Sequence, residues 1–275
     1  MKESLRVIFL SFLCVMVMGL GTYSRAEVAV DPACLPAVAA QPTGKMIPED
    51  LTADLNVSFY SQYIWRGYEL SRGSLVIFPT MTVGYKGFAV NLWADLDTRF
   101  AGSDNHGKFR LQETDVTVSY SNAYEPWKLN YTVGWILYNY QPAQNQELFL
   151  TLGLDTILKP TFSVYNEIEI GQAWYFSLGL SHSFPVYRDW SLDVGGWVSY
   201  LYDHSVPEGD RGFSNFHDGN VSAGLKIPLN NYLSVKPNIQ YSFPLSGDAS
   251  REIRGLSFSD SNNFVYGGII FDLAI

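Results

Sequence analysis

The stretch FAVNLWADLDTR, residues 88–99, alternates apolar and polar side chains along its whole length. Successive side chains of a β-strand point to opposite faces, so Phe88 and Val90 share one face while Asp95 and Asp97 share the other. A strand that is apolar on one face and carries carboxylates on the other fits a wall between lipid and water.

The same alternation recurs along the chain in twelve segments. Aromatic residues make up 15% of the chain and charged residues only 16%, and after the N-terminal region no stretch is long and apolar enough for a membrane helix. A membrane β-barrel hides its apolar surface in every second residue, which explains this composition. The predicted strands lie at about 53–66, 74–85, 87–99, 109–121, 127–138, 146–157, 161–170, 173–184, 190–202, 218–227, 232–243 and 263–274.

The connections between these segments alternate in length, as they do in outer-membrane barrels whose termini are both periplasmic. We therefore predict an all-β fold, a transmembrane antiparallel β-barrel of about 12 strands with periplasmic N- and C-termini in the bacterial outer membrane. A soluble secreted β-sandwich, which also alternates, is the competing class. The predicted short turns are 86–87, 122–126, 158–160, 185–189 and 228–231, and the long polar gaps are 101–108, 203–217 and 244–262.

The N-terminus predicts secretion. Residues 1–26 are typical of a signal peptide, because a charged start is followed by an apolar run at 7–21 and a small-residue cleavage site at 24–26. The alternative is a membrane anchor, but about 15 apolar residues are fewer than the roughly 20 that span a bilayer. Residues 27–50 are predicted to be a flexible periplasmic lead, and residues 51–275 the barrel.

Cleavage after residue 26 changes the charge and the cysteine count. It leaves 15 of the 18 basic and 26 of the 27 acidic residues, a net charge of −11, and one cysteine, Cys34. Such a chain has no basic surface for nucleic acid and no internal disulfide. The partners that we expect are outer-membrane lipid, a homo-oligomer or a periplasmic partner that contacts residues 27–50, and the barrel assembly machinery. The last of these is indicated by the spacing of Tyr266, Gly268, Phe271 and Leu273, which resembles a terminal-strand signal.

The first predicted strand ends in SQYIWRG, residues 61–67. This element resembles the Ser-x-Tyr-x-x-Arg-Gly element of the TorF-type porins, a family of uncharacterised bacterial outer-membrane proteins. The resemblance implies an outer-membrane barrel and a pore without an established substrate. From strand parity we expect Tyr63 and Trp65 to face lipid and Arg66 to face the lumen.

Parity also predicts an acidic inner wall. Ten acids face five bases there, and the third and fourth strands bring Asp95, Asp97, Glu113 and Asp115 together. A water-filled lumen of this kind favours cations, so we predict a porin for passive diffusion of small hydrophilic, cationic solutes. The alternative is a closed or plugged barrel that serves as a scaffold. Besides Asp272, the predicted pore-lining residues are Arg66, Asp95, Asp97, Arg99, Glu113, Asp115, Lys128, Glu147, Asp155, Glu167, Glu169, Asp193, Lys226 and Lys236.

Catalytic, metal and cofactor sites have weak support in the sequence. The chain has four histidines, and the adjacent pair His182 and Ser183 point to opposite faces of a strand, which disfavours nucleophilic catalysis. His204 and His217 lie among acids in one predicted loop, but the spacing does not resemble a calcium loop, so a solvated loop is favoured. No glycine-rich phosphate motif or haem motif is present, and we predict no enzyme, no metal and no cofactor.

Overall fold

A computed structural model describes residues 50–71, 73–100, 108–140, 143–169, 173–203 and 212–274. The predicted signal peptide, nearly all of the predicted lead, Cys34 and His204 lie outside these residues. Within the described part of the chain, no helix is long and apolar enough to cross a membrane.

Twelve antiparallel strands close into one barrel, which confirms the predicted fold class. The first barrel strand pairs with both the last and the second, which closes the barrel, and Val57 lies opposite Phe271 on one side and Pro79 on the other. Closure leaves no strand edge unpaired, which a sheet in lipid requires. The barrel strands are β1 Leu51–Tyr60, β4 Val76–Tyr85, β5 Phe88–Phe100, β6 Lys108–Tyr124, β7 Leu129–Tyr140, β8 Ala143–Leu154, β9 Thr161–Glu167, β10 Trp174–Tyr187, β11 Trp190–Asp203, β12 Phe213–Pro228, β13 Leu233–Pro244 and β14 Phe264–Ala274.

The two faces of the wall follow the alternation in the sequence. On β5, Phe88 is 63% exposed on the outside, whereas Trp93 and Asp97 are 4% and 2% exposed on the inside. Large apolar side chains such as Val133 and Val265 are exposed all round the outer surface. Because exposed apolar surface of this extent is disfavoured in water, the outer surface is suited to lipid.

The connections define two ends of the barrel. The turn end contains the two ends of the described barrel chain and the short connections at 86–87, 125–128, 155–160, 188–189 and 229–232. Lys86 and Gly87 both have positive φ, as the two central residues of a type I′ hairpin turn require. A 3-10 helix, Glu125–Trp127, forms another of these connections. The opposite end, which we call the loop end, contains the longest connections, together with the short one at 141–142.

Two loop-end connections contain elements that the sequence did not predict. Strand β1 stops at Tyr60 instead of continuing to about residue 66, and the chain forms a short hairpin of β2 Ile64–Trp65 and β3 Tyr68–Glu69. We call residues 61–71 the inward hairpin, because its side chains contact the inner faces of several barrel strands. The predicted polar gap at 244–262 contains a helix, α1 Gly247–Leu256, whose N-cap Ser246 accepts a hydrogen bond from the backbone N–H of Ala249.

Candidate functional site

The inward hairpin occupies the loop-end half of the lumen. Tyr63 and Trp65 are 4% and 3% exposed, and Tyr63 packs its ring against Phe78 and Trp93 of the inner wall. The expectation that Tyr63 and Trp65 face lipid is therefore wrong. Strand parity no longer applies after Tyr60, because the chain leaves the sheet and turns into the barrel.

The tip of the inward hairpin is a tight turn packed against neighbouring elements. Arg66 and Gly67 have φ values of +43° and +87°, as in a type I′ turn. A Cβ atom on Gly67 would lie 2.9 Å from Cδ1 of Ile253 on α1 and 3.0 Å from Cβ of Asp218 on β12. Glycine is required there for both its backbone conformation and its small size.

Arg66 points into the lumen, in the direction predicted, and is fixed from several sides. Its Nη2 and Nη1 atoms donate to Oε2 and Oε1 of Glu147 at 3.2 and 3.4 Å, and the hydroxyl of Tyr138 donates to the same carboxylate at 3.1 Å. The guanidinium carbon lies 3.9 Å from the ring centroid of Tyr175 and 4.8 Å from that of Tyr165. A planar guanidinium suits this combination of a two-point ion pair and stacking, which a lysine would not provide.

The acidic cluster predicted on the third and fourth strands is present on the inner wall. Asp95 lies directly opposite Glu113 in the β5–β6 register, and Asp115 lies two pairs further along, opposite Trp93. All three carboxylates are buried. The hydroxyl of Tyr63 donates to Oε2 of Glu113 at 3.2 Å, so the inward hairpin is bound to this cluster as well.

A chain of hydrogen bonds links helix α1 to the barrel wall. The hydroxyl of Tyr68 donates to Oε1 of Glu252 at 2.8 Å and lies 3.0 Å from Nε2 of His217. Nδ1 of His217 is 3.1 Å from Oδ1 of Asp218, and this carboxylate also accepts from the hydroxyl of Tyr175 at 2.9 Å. The chain therefore connects α1, the inward hairpin and two barrel strands.

A β-bulge explains why two neighbouring residues both face inward. In the β11–β12 register, Val198 pairs with Gly219 but Tyr200 pairs with Phe216, so His217 and Asp218 together oppose Ser199. Both side chains are fully buried. The prediction of a solvated loop is wrong for His217, since this residue belongs to β12.

Two groups of this hydrogen-bond chain, Tyr68 and Glu252, lie outside the barrel strands and have shifted pKa values. Burial raises the pKa of the Tyr68 hydroxyl well above its ordinary value, and the negative charge of Glu252 raises it further. Burial also raises the pKa of the Glu252 carboxyl, although His217 and the hydroxyl of Tyr68 lower it. The proton of Tyr68 is thus firmly held, and Glu252 retains its proton to a higher pH than a solvent-exposed glutamate.

The turn-end half of the lumen is polar and contains a cavity of about 40 Å³. Nζ of Lys236 lies 3.0 Å from Oδ2 of Asp193 beside this cavity, and their side chains are 24% and 20% exposed. Lys236 reaches Asp193 across Gly224, whose missing Cβ would lie 2.8 Å from Cε of the lysine. The other polar residues that line the cavity include Ser181, Ser183, Ser222, Asn238 and Gln240.

The predicted pore-lining residues fall into three groups. Arg66, Asp95, Asp97, Glu113, Asp115, Glu147 and Glu167 are buried on the inside. Asp193 and Lys236 form the half-buried pair beside the cavity. The remaining five are exposed: Lys128 and Asp155 lie in turn-end connections, Glu169 follows the end of β9, Arg99 lies near the loop end of β5 and Lys226 near the turn end of β12. A role of any of them in lining a conducting path stays a prediction.

Several residues of the site were missing from the sequence-based prediction. Tyr138 and Tyr175 lie beside the ion pair of Arg66 and Glu147, and parity alone could have placed them inward, but tyrosines in a membrane barrel are also common at the lipid interfaces. Asp218 shares the inward parity of Asn220, whereas His217 faces inward because of a bulge that no sequence pattern indicates. Among the described residues, no group of three or more His, Cys, Asp or Glu side chains is arranged to hold a metal ion.

The hydrogen bonds that the described residues make around His217 do not join its imidazole ring to a serine hydroxyl. The hydroxyl of Ser199 donates to Oδ1 of Asp218 at 2.6 Å, and the ring nitrogens of His217 contact Asp218 and Tyr68. Nδ1 of His182 lies 2.7 Å from the backbone oxygen of Ile157. These contacts do not place an imidazole nitrogen beside a serine hydroxyl, which nucleophilic activation requires.

Comparisons with known proteins agree with the architecture. A family model described as a bacterial protein of unknown function (Gcw_chp) matches residues 44–194. The NanC porin structure is 9% identical over 80% of this chain and 98% of its own, with a TM-score of 0.50. The COG4313 outer membrane channel from Pseudomonas putida F1 is 8% identical over 90% of this chain and 100% of its own, with a TM-score of 0.52.

No curated protein matches the sequence. At identities this low, the two structural similarities establish a shared barrel fold and nothing finer. The family model carries no TorF label, so that part of the sequence resemblance stays a prediction.

Proposed function

Since the chain belongs to the Gcw_chp family of bacterial proteins of unknown function, we propose from its architecture that it is an outer-membrane channel for small hydrophilic solutes. The observation that carries this proposal is a closed 12-strand barrel that is apolar outside and polar inside. The structural neighbours named as a porin and an outer membrane channel support it. In this proposal residues 1–26 direct secretion and the turn end lies in the periplasm.

We further propose that the channel prefers cations and that the inward hairpin forms its constriction. Buried acids on the inner wall outnumber the buried bases, and Arg66 is paired with Glu147. Fixed negative charge along a narrow polar path attracts cations and repels anions. Solutes would diffuse through the lumen without covalent chemistry.

Planar-bilayer recordings under a salt gradient test this function. We expect single-channel conductance, with a reversal potential whose sign shows that cations pass more readily than anions. The triple variant D95N/E113Q/D115N should move this reversal potential toward zero. The matched control is D155N, which removes an exposed acid of a turn-end connection. A reversal potential of the anion sign would overturn the cation preference, and a correctly folded barrel that never conducts would overturn the channel.

A second candidate function follows from the packing of the inward hairpin. Because the hairpin fills the loop-end half of the lumen with buried aromatic and charged side chains, a plugged barrel that acts as a scaffold is the alternative. Recovery of a stoichiometric partner together with no conductance would support the scaffold.

A further inference from the structure

The cavity in the turn-end half of the lumen has the character of a solute site. Its volume of about 40 Å³ exceeds what one water molecule needs, and it lies between the inner faces of β10 to β14. Tyr60 and Ile270 form an apolar part of its lining, and hydroxyl and amide groups of Ser181, Ser222 and Asn238 form a polar part.

One ion pair provides the charge of this cavity. Nζ of Lys236 and Oδ2 of Asp193 lie 3.0 Å apart. Far from the pair their electrostatic potentials nearly cancel, but a ligand atom in contact with one of the two groups is attracted or repelled by that group's charge. Both are partly exposed to the lumen, which leaves an accessible face on the pair. Such a pair gives little net attraction to a simple cation or anion.

The position of the pair is fixed by the sheet. Asp193 lies opposite Gly224 in the β11–β12 register, and Gly224 lies opposite Asn238 on β13. Lys236 crosses Gly224 to reach Asp193, and Asp193 also accepts from the hydroxyl of Ser191 at 3.0 Å. The two charges are therefore held side by side on the lumen wall.

We propose that this cavity binds small α-zwitterions, that is, free amino acids, with their ammonium group on Asp193 and their carboxylate on Lys236. An α-amino acid carries its two charges at a separation comparable with that of the ion pair. When the amino acid lies antiparallel to the ion pair, its ammonium group contacts Asp193 and its carboxylate contacts Lys236. The contact between Lys236 and Asp193 is kept. The hydroxyl and amide groups of the lining complete the hydrogen bonds of the ligand.

The inference rests on the proposed channel function, because a site within the lumen would act on solutes that pass through it. It goes further by naming a solute class that is neutral overall. The acidic wall nearer the loop end would act on the ammonium group of the same solute.

Saturation-transfer NMR on the full-length barrel in detergent micelles, with alanine as the probe, tests the site. We expect transfer to alanine, and an apparent affinity about tenfold weaker in K236Q and in D193N, since each removes one charge-assisted contact. K236R, which keeps the charge, should retain binding. K226Q is the matched control, because Lys226 is an exposed lysine of β12 outside the ion pair.

Propionate and ethanolamine, which each carry one of the two charges, should bind more weakly than alanine. Equal transfer to these compounds, or alanine binding that does not depend on the pair, would overturn the inference. Heat-modifiable electrophoretic mobility identifies variants that have folded. Because binding is measured without transport, a silent channel that binds alanine would contradict only the channel, and a conducting channel that does not bind alanine would contradict only this site.

Discussion

At the scale of the residue, Arg66 is the side chain that joins the inward hairpin to the opposite wall. Its ion pair with Glu147 is almost completely removed from solvent, with the two side chains 1% and 0% exposed. Burying both charges costs desolvation energy, which is offset by the two-point contact, the hydroxyl of Tyr138 and the rings of Tyr165 and Tyr175. Removing one partner leaves the other charge buried and unpaired.

We predict that Arg66→Met lowers the free energy of unfolding by about 3–5 kcal/mol, because Glu147 then loses its counter-charge in a buried site. Urea unfolding followed by electrophoretic mobility measures the change. The double variant R66M/E147Q should recover part of the loss, since it removes both charges. If R66M is as stable as the parent protein, or if the double variant is no better than the single one, the ion pair has no such role.

The sequence could predict that Arg66 faces the lumen and pairs with an acid there. It could not predict the turn that brings Arg66 to this position. Alternation predicts direction only while the chain stays in the sheet, and Arg66 belongs to a turn beyond the end of β1. Asp95, Glu113 and Asp115 lie on the inner wall, in the direction that alternation predicts, although the β5–β6 register shifts directly after Asp95. The inward direction of His217 was not predicted, since a bulge changes parity at that residue.

At the scale of the element, helix α1 and the inward hairpin pack together over the loop end of the lumen. Ile253 of α1 is fully buried beside Gly67, and Ser257 accepts a hydrogen bond from the backbone N–H of Glu69 at 3.2 Å. The carboxylate of Glu69 accepts in turn from the backbone N–H of Ser259 at 2.8 Å. The two elements thus form one unit, which the hydrogen bond between Tyr68 and Glu252 also joins.

We predict that the docking of this unit depends on pH through Glu252. Burial raises the pKa of this carboxyl above its value in the unfolded chain, and Asp203 and Asp248 raise it further against the lowering effect of His217 and Tyr68. The folded state therefore binds the proton more tightly. The protonated Glu252 carboxyl contributes fully to stability at a pH below its pKa in the unfolded chain. This contribution is lost as the pH rises through the pKa of Glu252 in the folded protein.

Glu252→Gln keeps an acceptor for Tyr68 but cannot ionise. Relative to the parent protein, E252Q should become progressively more stable as the pH is raised from about 5 to about 8. Melting temperatures of both proteins across this range measure the difference, with Glu125→Gln in the turn-end 3-10 helix as the exposed control. A constant difference between E252Q and the parent would show that Glu252 does not titrate in this way.

Helix α1 and the inward hairpin were missed by sequence reasoning for a physical reason. The connection at 244–262 has many polar residues and was predicted as an outer loop, but its apolar Ala249 and Ile253, spaced four apart, lie on one helical face and are both buried. The burial of that face depends on the hairpin beneath it, which is a long-range contact. Local pattern gives the strands of this fold and does not give the contacts inside its lumen.

At the scale of the whole molecule, the barrel wall and the lumen contents have different origins. The wall follows from a period of two repeated in twelve segments, and ten of the predicted strands overlap their observed counterparts closely at both ends, with β1 and β12 as the main exceptions. The lumen contents follow from two connections that fold inward and are held by side-chain contacts. The wall should therefore remain closed when the inward hairpin is removed.

Replacing residues 62–70 by a Gly-Ser linker of the same length tests this separation and the proposed constriction together. We expect the barrel to retain heat-modifiable mobility, because the strand pairs of β1 with β4 and β14 do not involve these residues. Single-channel conductance should rise several-fold, since the linker lacks the buried side chains that occupy the loop-end half of the lumen. The preference for cations should persist, because Asp95, Glu113 and Asp115 remain on the wall. Replacing residues 155–159 of a turn-end connection by a Gly-Ser linker of their own length is the control, and a folded hairpin variant with unchanged conductance would show that the constriction lies elsewhere.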